Sequence, residues 1–170
     1  AVRYAGIVLI FMTSVMTGNY LAERYIRRYR MLRLLEKFIG RASLMIRCTA
    51  SPVRDIISSA AADSELSGLA FITAMNNELE QGECDIRQLW SEKLKAYPPY
   101  GINEEEFSVL EGMGRTLGAA DIQGQLDCLE MYGGIIASSI KEADKDRKEK
   151  PKLFRSMGLL AGLFAAVILI

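Results

Sequence analysis

The groups in this chain best suited to acid–base, metal or thiol chemistry are its 21 aspartates and glutamates and its three cysteines, because it contains no histidine. Without imidazole there is no Ser–His–Asp or Cys–His arrangement, no His-ligated metal and no imidazole pH switch. The cysteines stand apart at Cys48, Cys84 and Cys128 with no C-x-x-C spacing. That pattern reads as reduced thiols rather than a disulfide frame. Glu104, Glu105 and Glu106 are consecutive. On a helix, neighbours point about 100° apart, so three in a row do not converge on one cation; they suit the positive end of a helix dipole instead. Asp144-Lys145-Asp146 begins like a calcium loop, but Glu149 stands where that loop needs glycine and Arg155 where it needs glutamate. Gly112, Gly114 and Gly118 lack the preceding strand and the Gly-Lys-Ser/Thr of a phosphate loop, and read as close helix packing with a helix end. No catalytic residue, cofactor or metal is assigned, and the expectation is a non-enzymatic protein.

The elements that must position these groups are helical. An apolar stripe runs through Leu21, Tyr25, Leu32, Leu35, Ile39, Ala42 and Ile46 in steps of three, four and seven, one buried face of a long helix. Ser51-Pro52 predicts an N-cap and first residue of a helix over 52–62. A third helix is expected over 65–81 with Gly82 as its stop, and a fourth from Asp85, with Gln88 completing a capping pair. Residues 97–101, Tyr-Pro-Pro-Tyr-Gly, make a loop. Asn103 with Glu106 opens a fifth helix that runs to Leu117 and stops at Gly118. The last begins at Asp121, carries Ile122, Leu126, Leu129, Tyr132, Ile136 and Ile140 on one face, and meets Pro151, where a kink is expected. Trp90 reads as a core anchor. No stretch alternates like a half-buried strand. The fold class expected is all-α: an antiparallel bundle of about six helices, large enough at 170 residues to enclose a core.

The zero net charge, 21 cations against 21 anions, argues against a dedicated nucleic-acid binder and conceals a pattern. Residues 23–37 carry six cations and two anions, residues 141–155 seven and four, and residues 48–140 only five against fifteen. Outside the basic segments lie two stretches without charge, 4–22 and 156–170. The first has the length of a transmembrane helix; the second is short for one. Basic residues beside a span stay on the cytoplasmic side. The expected layout is a transmembrane helix at 4–22, a cytoplasmic helical bundle at 23–155 and a transmembrane helix at 156–170. Arg24, Arg27, Arg28, Lys152 and Arg155 form the membrane-flanking cations and contact lipid headgroups. Ser14 with Gly18, and Gly158 with Gly162, are small pairs four apart that let spans pack on each other or on another subunit. The acidic patch of Glu104, Glu105, Glu106 and Glu111 is the candidate partner surface. No nucleic acid and no small-molecule substrate is expected.

Several phrases together resemble a known family. Thr17-Gly18 with Ala22, Tyr25 and Arg28 closes the first uncharged stretch, and Ser51-Pro52 follows an amphipathic helix. Trp90-x-x-x-Leu94 comes next, then Leu117-Gly118-x-x-Asp121-x-x-x-Gln125, and last Ser156-Met157-Gly158-x-x-x-Gly162-Leu163 ahead of Leu169-Ile170. In this order and spacing they resemble the stage III sporulation protein AB family of endospore-forming bacteria, with Met45-Ile46 departing from the Glu-Ile usual there. The resemblance implies a bundle similar to the cytoplasmic domain of the type II secretion platform protein F. It implies a multi-pass protein of the mother-cell membrane around the forespore, in the channel complex joining mother cell and forespore. The partners implied are a secretion-type ATPase (stage III sporulation protein AA) and other channel subunits, with homo-oligomerisation left open. Leu117, Gly118, Asp121 and Gln125 are the family phrase that fixes the start of the last helix. The alternative kept beside this is a two-span sensor with an extracytoplasmic helical ligand-binding domain.

Overall fold

A computed structural model describes residues 2–82, 84–117 and 121–169. Among them are six α-helices and no strand: α1 (Val2–Thr49), α2 (Val53–Ala61), α3 (Ala70–Leu79), α4 (Ile86–Ala96), α5 (Glu104–Thr116) and α6 (Ile122–Leu169), with one 3-10 turn, Ser64–Leu66, ahead of α3. Helices α1 and α6 are the longest, 48 residues each. The chain divides into two compact units, one of residues 1–29 with 141–170 and the other of residues 30–140. The long helices contribute to both.

In the 30–140 unit, α2 packs on α3, α3 on α4 and α4 on α5. The core combines Leu32, Leu35, Phe38 and Ile46 of α1 with Ile57, Phe71, Ile72, Met75, Trp90 and Leu94, all buried. Burying each such side chain contributes roughly 1.5–3 kcal/mol before entropy is counted. Trp90 is its anchor, as expected. Its indole N–H donates to the Leu110 carbonyl at 2.9 Å, and its ring meets the Phe71 ring edge-on at 5.3 Å. Gly114 makes room for it: a Cβ there would fall 2.0 Å from the indole Cδ1. Gly112 likewise lies under the Tyr132 hydroxyl. These two glycines therefore serve packing. Gly118, the expected helix stop, lies outside the described residues.

Three local expectations are corrected. Ser51 does not cap α2: Pro52 is the N-cap residue, in extended conformation, and the Ser51 hydroxyl meets that of Thr49 instead. Ala50, at φ 46°, makes the turn between α1 and α2, and the Ala50 and Ser51 N–H groups take the carbonyls of Ile46 and Met45. The helix expected over 65–81 is broken. Asp63 caps the 3-10 turn by accepting from the Glu65 N–H, and Leu69, buried at φ −91° and ψ 72°, starts α3 afresh. That helix ends on Glu80 in a right-handed conformation, so Gly82 is not its stop. Asp85 does cap α4, accepting from the Arg87 N–H at 2.9 Å, without the Gln88 half of the expected capping pair. Asn103 and Glu106 form both halves of the expected capping box on α5. Helix α6 continues through Pro151 without ending.

Among the described residues no helix is long and apolar enough to cross a membrane. The transmembrane helices expected at 4–22 and 156–170 are therefore not supported there. Residues 4–8, 10, 11 and 165–170 lie outside the residues whose side chains are described.

Candidate functional site

The unit of residues 1–29 and 141–170 is built from two antiparallel helix ends held at close range. Small residues permit it. A Cβ on Gly18 would meet the Phe154 carbonyl oxygen at 2.8 Å, and one on Gly158 would meet the Ser14 carbonyl oxygen at 3.0 Å. The Ser14 hydroxyl donates across the crossing to the Gly158 carbonyl at 2.8 Å. Gly162 is buried one turn further along. Of the two roles left open for these small pairs, the structure assigns packing of α1 on α6 within one chain.

Toward the middle of both helices the contacts turn polar and aromatic. Arg28, only 13% exposed on its side chain, donates to Glu142 at 2.9 Å and lies 3.9 Å from Asp146. Tyr25 stacks on Phe154 with centroids 5.8 Å apart. The Arg147 guanidinium sits 4.0 Å over the Tyr29 ring, and the Lys150 ammonium 5.0 Å from the Tyr25 ring. Cations over aromatic faces gain from the ring quadrupole, about 0.5–1 kcal/mol when exposed. Hydrogen bonding to Asp146 holds the Lys150 pKa above its usual value, and bonds from Lys148 and Arg147 hold that of Asp144 below. Arg28 is thus a structural cation here. Arg27 pairs with Glu23 on its own helix, while Arg24, Lys152 and Arg155 are exposed. Sequence reasoning missed Glu142, Asp146 and Arg147, because each meets a residue more than a hundred positions away.

The acidic patch separates into two kinds of residue. Glu104 and Glu105 are exposed on the first turn of α5. Glu106 is 1% exposed, its carboxylate accepting from the Asn103 N–H at 2.9 Å. Glu111 is bound by Lys95 at 3.1 Å and Arg115 at 3.3 Å, and the Lys95 hydrogen bond chiefly lowers its pKa. A surface offering free carboxylates at α5 is therefore Glu104 and Glu105 alone; Glu106 is corrected to a capping residue. The family phrase is also structural. Leu117 is buried, and the Asp121 carboxylate accepts from the Gly124 N–H at 3.1 Å as a cap on α6. The Gln125 N–H donates to the Asp121 carbonyl at 2.9 Å. Among the described residues no group of three His, Cys, Asp or Glu side chains is placed to hold a metal.

A family model described as stage III sporulation protein AB matches residues 3–170. The chain belongs to the stage III sporulation protein AB family. Membership implies a role in sporulation. The family's protein from Bacillus subtilis (strain 168) is 23% identical over 168 residues, covering 98% of each chain. A solved structure of stage III sporulation protein AB superimposes with a TM-score of 0.62 at 20% identity, covering 72% of this chain and 98% of that one. This likeness establishes a shared helical fold. In AB-family terms, the phrase around Leu117, Asp121 and Gln125 in this chain closes α5 and caps α6.

Proposed function

We infer that this AB-family chain is a non-enzymatic platform subunit of a membrane complex used in endospore formation. The carrying observation is the pair α1 and α6. Each is one unbroken 48-residue helix, and each is fastened to the other through Ser14–Gly158 and Arg28–Glu142. Fastened rods transmit displacement along their length. In this reading the bundle of residues 30–140 sits in the mother-cell cytoplasm and docks a secretion-type ATPase, the family's AA protein. The uncharged stretches at 4–22 and 156–170 anchor in the membrane around the forespore, with Arg24, Lys152 and Arg155 at the lipid headgroups. Other subunits of the mother cell–forespore channel assemble alongside.

The ATPase meets Glu104 and Glu105, the carboxylates of α5 that solvent reaches. Rim charges of this kind set encounter rate and partner choice. Reversing both to lysine should weaken ATPase binding about tenfold at low salt and flatten its salt dependence. The bundle's melting temperature should move little, since the Asn103–Glu106 cap is untouched. Equal affinity and an equal salt slope for the reversed protein would remove this surface from the reading.

A further inference from the structure

In the unit of residues 1–29 and 141–170, α6 carries seven cations between 141 and 155. Two serve the contact with α1: Arg147 lies over the Tyr29 ring, and Lys150 binds Asp146 beside the Tyr25 ring. The other five, Lys141, Lys145, Lys148, Lys152 and Arg155, are all exposed. They follow one another in steps of four, three, four and three. At 100° per residue, those steps keep all five within an arc of about 80°, a straight stripe about 21 Å long. The unit supplies little to neutralise it. Glu142 and Asp146 face Arg28, Asp144 is shared by Lys148 and Arg147, and Glu149 stands about 40° outside the arc. The only anion of α1 before residue 30 is Glu23, which pairs with Arg27. Among the described residues, Lys141, Lys145, Lys152 and Arg155 make no ion pair.

Charge and spacing together select the occupant. In the membrane reading above, on which this step rests, Arg155 lies at the lipid headgroups. The polar layer of one leaflet is about 5–8 Å deep, and its surface potential fades within a Debye length of about 8 Å. Lys145 and Lys141 stand about 15 and 21 Å from Arg155 along the helix, at and beyond the limit of that reach. A second copy does not offer the complementary pattern. Three carboxylates in successive steps of four and three occur once in the sequence, at Glu142, Asp146 and Glu149 of α6 itself, and Arg28 faces the first two. Alternating steps of four and three form the seam on which another helix lies in a left-handed pair, and carboxylates at the same spacing then meet the cations.

We propose that Lys141, Lys145, Lys148, Lys152 and Arg155 form a docking seam for an acidic helix of another protein, its carboxylates spaced in the same steps of four and three. The test places the full chain in nanodiscs of zwitterionic phosphatidylcholine and follows a labelled, stapled helical peptide by fluorescence anisotropy at low salt. The peptide carries one glutamate for each cation of the stripe, in steps of four and three; its isomer has the same glutamates spread evenly around the helix. The aligned peptide should bind about tenfold tighter than the isomer, and less tightly as salt rises. Lys141→Glu with Lys145→Glu should weaken it about tenfold, and the corresponding glutamine pair about threefold, with melting temperatures unchanged because neither lysine holds an ion-pair partner among the described residues. Binding should survive when phosphatidylglycerol replaces part of the lipid. Equal binding of the two peptides, indifference to the lysine changes, or displacement of the peptide by phosphatidylglycerol overturns the proposal. A chain that stays in solution without detergent or bilayer overturns the membrane reading instead, and the same two peptides, applied to that soluble protein, still decide the seam.

Discussion

The two units are held together by different physics. Residues 30–140 enclose Trp90, Phe38, Phe71 and many aliphatic side chains, and the contacts that matter are volume and shape. Among the described residues, 1–29 and 141–170 enclose little. Their helices are fastened by glycine-to-backbone approach, one hydroxyl-to-carbonyl bond, and the charges of Arg28, Glu142 and Asp146. A core filled by large side chains loses stability when they are removed. A crossing made of small residues loses it when they are enlarged. One kind of substitution is therefore harmful in one unit and tolerated in the other.

The largest effect should come from Trp90→Ala. It removes the central ring and leaves the Leu110 carbonyl without its indole donor, at a cost of roughly 3–5 kcal/mol. Chemical denaturation followed by helical circular dichroism checks it; a loss below about 1 kcal/mol would mean that Trp90 does not anchor the core. A smaller, differently placed effect should follow Gly18→Leu. Its Cβ collides with the Phe154 backbone, and parting the helices costs about 1–3 kcal/mol. Distances between spin labels on exposed positions 23 and 149 should increase, while the fluorescence of Trp90 stays unchanged. If the distance holds and the fluorescence shifts instead, the division of labour is wrong.

The smallest effect concerns pH. Hydrogen bonding holds Asp85, Glu111 and Asp144 below their ordinary carboxylate pKa values, with the Arg87 N–H, Lys95 and Lys148 the leading donors. Groups with depressed folded-state values stabilise the fold above their unfolded pKa of about 4, and that contribution disappears as pH falls through the folded value. Lys93 and Lys150 are shifted upward by Glu78 and Asp146, so their share persists at neutral pH and is lost only in strong alkali. Asp85 is exposed and the other four lie half-buried at the surface, where water still screens them, which keeps the effect modest and salt-sensitive. Denaturant midpoints should fall between pH 6 and pH 3, less steeply in 0.5 M salt. A flat profile would show that these pairs contribute nothing.

What the sequence made legible follows the range of the interaction. The Asn103–Glu106 box and the Asp85 and Asp121 caps involve residues at most three apart, and each is where spacing placed it. Trp90 announced itself as a core residue by size and helix phase. The slot that receives it did not, because Gly114 is 24 residues away and its purpose depends on how α4 lies against α5. The break at Leu69 was hidden for the same reason. Gly68 passes beneath Leu34, a Cβ there falling 2.7 Å from the Leu34 Cδ1, and that approach overrides a local pattern fit for one helix. Glu106 was counted with its exposed neighbours although the capping box it forms already turns it inward. The small pairs at Ser14, Gly18 and Gly158 were readable as packing positions, but their choice of partner was written nowhere nearby.

One feature of the long helices reaches beyond these contacts. In α1, positions 18, 32, 39 and 46 are buried and 25 is half-buried; in α6, 140 is buried and 126, 133, 147 and 154 are half-buried. Over these positions both helices keep a repeat of seven, close to two full turns of an α-helix. A single inserted residue would rotate everything downstream by about 100° and aim Arg28 or Gly18 at the wrong neighbour. Seven would shift it by only about 20°. A change of length that kept these contacts would come in whole heptads, added to both helices together.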